Sequence, residues 1–178
     1  MNDNPCVSIS KIPTTEEHIK AFGHKHALES QYRKMLAPDI LYSASTIESF
    51  HFKEERLGEI IINVTGIKRG IFIRRISVQM VEMDLTEDWI KYIIDTCGVE
   101  EEGVERLKIK DLQRPGIIMS WDPNNNHTTQ IDGSHRMVRR WREGIKTMVS
   151  AMVFSLDTVQ HMARPGNEER FFINENCY

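Results

Sequence analysis

The chain has little cysteine and no long hydrophobic run. Its three cysteines, Cys6, Cys97 and Cys177, lie far apart and form no Cys-x-x-Cys pair. This spacing excludes a Cys-x-x-Cys zinc or redox motif and predicts reduced thiols with structural or incidental roles. No apolar run reaches the roughly 20 residues that a membrane-spanning helix needs. The polar residues 1–5 lack the features of a signal peptide, so we expect a cytoplasmic protein without membrane contact.

A large excess of either charge is also missing. The 23 Lys and Arg residues nearly balance the 26 Asp and Glu residues, for a net charge of −3. This balance argues against a protein that binds polyanions over its whole surface. The basic residues nevertheless form two local groups, one at residues 68–75 and one at residues 136–146. Such groups can bind a nucleotide or a nucleic acid backbone, although a solvated helix face explains the second group more simply.

The 178 residues, 40% of them hydrophobic, are enough for one core with an appended subdomain. A capping box at Thr14-x-x-Glu17 opens the first predicted helix, in which Leu28, Tyr32 and Leu36 share an apolar face. The remaining patterns predict helices at 46–56, 86–96 and 134–143, strands at 59–64, 71–82, 116–121, 128–131 and 147–154, a turn at 65–70 and a loop at 122–127.

This order of elements predicts an α+β protein. From residue 74 to residue 154 the order is strand, helix, strand, strand, helix, strand, and the two middle strands form a hairpin. We expect this unit to be a core domain at residues 71–156. Residues 1–70 are then an N-terminal helical and hairpin extension that packs on the core, and residues 157–178 are a C-terminal tail.

The turn after the hairpin carries the groups that a phosphate site needs. Asp132 ends a strand, and Gly133 lets the backbone adopt a positive φ close to a ligand. Ser134 and His135 then begin a helix, whose first N–H groups are free to bind an anion. Arg136, in the first helical turn, can bind a phosphate through two parallel hydrogen bonds. The alternative interpretation is an ordinary glycine turn that is capped by Asp132 or Ser134.

This turn, together with its surroundings, resembles the ParB/sulfiredoxin superfamily. The resemblance depends on Arg114-Pro115-Gly116-Ile117-Ile118, the hairpin, the Ile131-Asp132-Gly133-Ser134-His135-Arg136 turn, a helix that ends at Gly144, and the strand at 149–153. It covers about residues 74–156 and implies a ParB/sulfiredoxin-like core of a small mixed sheet with helices. It also implies a nucleotide, with its phosphates bound by Gly133, Ser134, His135, Arg136 and Arg114.

Departures from the family pattern narrow the expected activity. Sulfiredoxins carry their catalytic cysteine where this chain has Ser134, and a hydroxyl cannot replace that redox chemistry. ParB proteins carry a Gly-Glu-Arg-Arg turn in place of Gly133–Arg136. The turn looks more like that of the free-serine kinases and of the stand-alone plasmid- and phage-borne ATPases and DNases of this superfamily. The small size and the unmatched N-terminal extension favour the mobile-element group.

Two functions remain open at this point. The first is ATP binding with phosphate-bond hydrolysis or transfer, assisted by Mg²⁺, or nuclease activity by analogy with the plasmid and phage proteins. In it Asp132 and His135 are candidate catalytic residues, and Glu82 or Asp84 is the candidate base. The second is a non-catalytic DNA- or protein-binding module. It would use the basic helix through Arg139, Arg140 and Arg142.

Overall fold

The computed structural model describes residues 27–37, 47–54, 58–122, 127–169 and 171. The Thr14 capping box and the middle of the predicted loop, residues 123–126, lie outside these ranges. The helices are α1 (27–37), α2 (Val64–Phe72), α3 (Glu87–Thr96), α4 (Glu101–Glu105), α5 (Ser134–Arg142) and α6 (Ser155–Thr158). The strands are β1 (Ser49–Glu54), β2 (Gly58–Asn63), β3 (Gln79–Asp84), β4 (Gly116–Ser120), β5 (Thr128–Asp132), β6 (Thr147–Phe154) and β7 (Met162–Ala163). Two 3₁₀ segments cover Ile109–Gln113 and Val159–His161.

The strands form two sheets. The larger one has the order β3-β6-β4-β5, with β4 parallel to β6 and the other pairs antiparallel. A parallel pair needs a crossover connection, and β5 with α5 provides it between β4 and β6. The smaller sheet has the order β1-β2-β7, and all its pairs are antiparallel. The fold is therefore α+β, as the sequence predicts.

Both faces of the larger sheet pack against other elements. Successive side chains of a strand point to opposite faces, so one strand can contribute to two cores. Ile117 and Met119 of β4 lie in one core, and Ile118 lies in the other. The first core, here called the N-terminal core, contains residues of α1, α2 and β2 against the sheet. The second, the helical core, contains residues of α3 and α5. Residues of α1, α2 and β2 thus pack on one face of the sheet.

The prediction of a turn at residues 65–70 is wrong, because these residues lie inside helix α2. The Asn63 side chain caps this helix by accepting a hydrogen bond from the N–H of Gly66 at 2.8 Å. Ile67 and Ile71 are fully buried along one side of it. Gly66 is needed for close packing, since a Cβ there would lie 2.5 Å from Nδ1 of His161. The strand predicted at 71–82 accordingly begins only at Gln79.

The helix predicted at residues 46–56 is also wrong where the structure describes it. Residues Ser49–Glu54 form strand β1, which pairs with β2 at every position from Ser49↔Asn63 to Glu54↔Gly58. Phe50 and Phe52 project on the same side, and the Phe52 ring stacks on Trp121 at 5.3 Å between centroids. The strand conformation of this segment depends on pairing with β2 and on aromatic packing. Neither of these contacts can be read from local helix periodicity.

The predicted order of strands and helices from β3 to β6 is confirmed. Helix α3 begins after Thr86, whose hydroxyl accepts from the N–H of Trp89 at 3.2 Å. Strands β4 and β5 form the predicted hairpin, and α5 is followed by Gly144 with a φ of +78°. The order from β3 to β6 matches the predicted strand, helix, strand, strand, helix, strand, with the short helix α4 added.

The two predicted domain borders fall at places where the structure is continuous. The border after residue 70 lies inside α2, and β7 of the predicted C-terminal tail pairs with β2 of the predicted extension. In the described part of the chain, no helix combines the length and apolar character needed to cross a membrane.

Replacement of Ile62 by alanine tests the role of the N-terminal core. This side chain is fully buried on β2, so we expect Ile62→Ala to lower the free energy of unfolding by about 3 kcal/mol in urea denaturation. The control, Glu59→Ala, removes an exposed side chain of the same strand and should leave the midpoint unchanged. Equal stability of the two variants would show that β2 is not part of the cooperative core.

Candidate functional site

The site is built around the junction of β5 and α5. Asp132 ends β5, and Gly133 follows with a left-handed φ of +98° before α5 begins at Ser134. A Cβ at Gly133 would lie 3.0 Å from the Cα of Gly116, so strand β4 leaves no room for a side chain. Backbone conformation and close packing therefore both require glycine here. The turn has the geometry that the sequence predicts.

Asp132 lies between two cations. Its Oδ2 is 3.2 Å from Nη2 of Arg136 and 3.2 Å from Nζ of Lys68, which comes from α2. Lys68 also pairs with Glu48 at 2.6 Å, and Arg136 donates a second hydrogen bond to the carbonyl of Pro115 at 3.2 Å. The side chains of Asp132, Lys68 and Arg136 are each only 10–13% exposed. The N-terminal part of the chain and the β5-α5 turn thus share one buried charge cluster.

The charges of this cluster shift the pKa values of its members. Burial would raise the pKa of Asp132, but the positive charges of Arg136 and Lys68 and their hydrogen bonds outweigh it and lower the pKa. Burial also lowers the pKa of Arg114, as does the neighbouring charge of Arg136, while Asp132 opposes the shift. Arg114, just before β4, is therefore electrically part of the same site. Two cations contact the Asp132 carboxylate, and the charge of a third, Arg114, interacts with it.

The hydroxyl of Tyr32 on α1 and the Nε of Arg136 are buried donors that have no hydrogen-bond partner among the residues that the structure describes. Tyr32 is only 1% exposed. Its pKa is raised, first by burial and then by the charge of Asp132, while Arg136 and Arg114 oppose the shift. The phenol thus lies within electrostatic reach of the charge cluster and stays protonated at neutral pH.

The side chains of Ser134 and His135 face a different part of the fold. Nε2 of His135 accepts a hydrogen bond from the N–H of Glu100 at 3.2 Å, and its ring packs against Gly103 of α4. Ser134 interacts with the thiol of Cys97. Burial raises the pKa of this thiol, although hydrogen bonds with Thr96 and Ser134 act in the opposite direction. Only the backbone N–H groups of Ser134 and His135 therefore remain near the Asp132 turn.

Glu82 and Asp84, the predicted bases, lie on β3 and are exposed. Strands β3 and β5 are the two opposite edges of the four-stranded sheet. The predicted bases and Asp132 are therefore separated by β6 and β4, about 14 Å at the usual spacing between strands. The structure does not bring these carboxylates together with the Asp132 turn.

The arginines of the predicted DNA-binding face each have an intramolecular acceptor. Arg139 pairs with Glu143 at 2.8 Å, and Arg142 pairs with Glu101 through both of its terminal nitrogens. Arg140 donates from Nε to the carbonyl of Thr147 at 2.7 Å and from Nη1 to that of Leu112 at 2.6 Å. Arg140 therefore fastens α5 to β6 and to the 3₁₀ segment before β4.

Sequence reasoning missed three members of the site: Tyr32, Glu48 and Lys68. Tyr32 counts as one more apolar residue on the face of α1, and Lys68 counts as part of a basic turn. The signal for Lys68 is its position between isoleucines that are spaced as on one side of a helix, in a segment that the sequence analysis predicts as a turn. No local signal marks Glu48 or the hydroxyl of Tyr32.

In the described part of the chain, no group of three or more His, Cys, Asp or Glu side chains could hold a metal ion. Comparison of the chain with protein-family models, with curated proteins and with solved structures finds no match. The ParB/sulfiredoxin resemblance therefore stays a prediction that depends on the residues of the motif.

Replacement of Arg140 by alanine tests whether this side chain has a structural role. The variant loses two hydrogen bonds to main-chain carbonyls, so we expect its free energy of unfolding to fall by about 2 kcal/mol. Arg142→Ala, which breaks only an exposed ion pair on the same helix, should unfold at nearly the wild-type urea concentration. A stable Arg140→Ala protein would contradict the fastening role.

Asp132→Asn tests the charge cluster through its pH dependence. Because the folded protein lowers the pKa of Asp132, its contribution to stability is complete above the ordinary value of 3.8 and is lost as the pH falls through the lower folded value. We expect the variant to be about 3 kcal/mol less stable than the wild type at pH 7, since two buried cations lose their anion.

The difference between the Asp132→Asn variant and the wild type should shrink in urea titrations below about pH 4. The control, Asp157→Asn, changes an exposed residue of α6 and should follow the wild-type curve. A difference that stays constant with pH would mean that Asp132 acts through shape and not through charge.

Proposed function

We propose that the Asp132–Arg136 turn binds the phosphate groups of a nucleotide. The observation that carries the proposal is the contact of Lys68 and Arg136 with one buried carboxylate at the start of a nine-residue helix, with Arg114 within electrostatic reach. Lys68 and Arg136, both nearly buried, share the Asp132 carboxylate, and a site that holds cations this close together is suited to a further anion. Phosphate oxygens can accept several charge-assisted hydrogen bonds at once.

The backbone supports the same ligand. The first hydrogen bond of α5 runs from the N–H of Met137 to the carbonyl of Gly133 at 2.9 Å. The N–H groups that precede Met137 in this turn therefore have no acceptor within the helix. They and the helix dipole favour a negative charge beside Gly133. The positive φ of Gly133 forms the turn that leads into α5, while its lack of a side chain allows the close contact with β4.

Asp132 holds the cations of the site in this proposal. Its lowered pKa keeps it ionised, which makes it a poor proton acceptor and a good partner for Arg136 and Lys68. An incoming phosphate would share these cations with Asp132. We propose hydrolysis or transfer of a phosphate bond as the reaction, because fixed positive charges stabilise the charge that develops on phosphoryl oxygens.

Mg²⁺ fits this site only as a partner of the nucleotide. Magnesium is usually held by one or two carboxylates together with substrate phosphates. Asp132 already contacts two cations at 3.2 Å, so its carboxylate is poorly placed to hold a metal ion alone. When bound, the ion would neutralise phosphate charge. Lys68, Arg114 and Arg136 would bind and orient the phosphates.

Replacement of Arg136 tests the proposal directly. Titration calorimetry with ATP and Mg²⁺ should show binding by the wild type and a Kd about 100-fold higher for Arg136→Gln, which loses a bidentate charged contact. Arg136→Lys keeps the charge without the fork and should show a loss of about tenfold. Release of inorganic phosphate from ATP, measured in parallel, should fall with binding.

The matched control is Arg139→Gln, on the same helix but paired outward with Glu143. It should bind ATP like the wild type, and circular dichroism should confirm that all variants are folded. Equal affinity of Arg136→Gln and the wild type would reject the site. Binding by the wild type without phosphate release would retain the nucleotide site and reject hydrolysis.

A further inference from the structure

We infer that Tyr32 is a ligand-binding residue whose hydroxyl donates a hydrogen bond to a phosphate oxygen at the Asp132 turn. This inference rests on the proposed phosphate site. It assigns part of that site to helix α1, which lies outside the segment that resembles a known superfamily. The ligand would be enclosed between the N-terminal part of the chain and the β5-α5 turn.

The surroundings of Tyr32 do not explain its hydroxyl. The ring packs in the N-terminal core, and Leu36, one helical turn further on, is buried to the same extent. A phenylalanine would supply the same apolar contact. The hydroxyl has no hydrogen-bond partner among the described residues, and a buried polar group without a partner destabilises a protein. The position therefore favours a tyrosine for a reason other than packing.

Tyr32 shares the N-terminal core with Ile131, the neighbour of Asp132, and its hydroxyl lies within electrostatic reach of the charges that would hold the ligand. The charges of Asp132, Arg136 and Arg114 all act on the phenol, and its raised pKa keeps it protonated as a donor. Nε of Arg136 is a second buried donor without a described partner. Two such donors come from α1 and α5, two helices distant in sequence; Arg136 contacts Asp132, and the charge of Asp132 acts on Tyr32.

One tetrahedral anion can satisfy both donors. Phosphate presents several oxygens in different directions, whereas the planar Asp132 carboxylate already accepts from Arg136 and Lys68 through Oδ2. A phosphate bound at the α5 N-terminus could accept from Nε of Arg136 and from the Tyr32 hydroxyl through different oxygens. The two buried donors then mark the side of the site at which the anion binds.

Tyr32→Phe tests the inference because it removes one oxygen atom and keeps the ring. Calorimetry with Mg-ATP and, separately, with inorganic pyrophosphate should show Kd values about tenfold higher than those of the wild type for both ligands. Without ligand, the variant should unfold at the same or a higher urea concentration, since it lacks an unpaired buried hydroxyl. Tyr92→Phe, on α3 against Trp89, is the matched control and should bind normally.

The possible results separate this inference from the function on which it rests. Binding by the wild type and equally by Tyr32→Phe would overturn the role of Tyr32 and leave the phosphate site standing. A loss of affinity for ATP but not for pyrophosphate would overturn it too, because the hydroxyl would then contact the sugar or base of the nucleotide and not a phosphate. Lower stability of the variant without ligand would identify a structural hydroxyl. No binding of either ligand by the wild type would reject both proposals.

Discussion

The contact of the Asp132 carboxylate with Lys68 and Arg136 is the interaction on which the site depends. Two cations this close and this buried would repel each other strongly without an anion between them. Asp132 therefore fixes where α2 and α5 meet the end of β5. Because Lys68 also contacts Glu48, the same interaction connects the segment before β1 with the helix that follows β5.

The four-stranded sheet sets the position of this cluster. Alternating side chains of β4 fill two separate cores, so α1 and α2 cover one face while α3 and α5 cover the other. The β5-α5 turn lies at the sheet edge where the chain crosses between these faces. The Asp132 and Arg136 side chains can reach α2 there, whereas Ser134 and His135 reach α3 and α4. One turn thus has two chemically different sides.

Much of the fold and half of the candidate site could be predicted. Helix α5, its glycines and the β4-β5 hairpin carry strong local signals, since Gly133 and Gly144 adopt positive φ values that other residues avoid. Helix α2 could not be recognised, because Gly66 and Gly70 are usual in turns and are present here for close packing against His161 and Ile76. Glu82 stands in a plausible sequence position, but strand order places it at the far edge of the sheet.

By itself, the sequence determined the α+β class, the order of elements from β3 to β6 and the glycine turn beside Asp132. These features depend on periodicity, capping and backbone conformation, all of which act between residues close in the chain. Only the tertiary structure decided that Tyr32, Glu48 and Lys68 join Asp132 and Arg136, and that the basic face of α5 is occupied by internal partners. Those interactions act between residues up to about a hundred positions apart, and they depend on how two cores pack against one sheet, which no local pattern records.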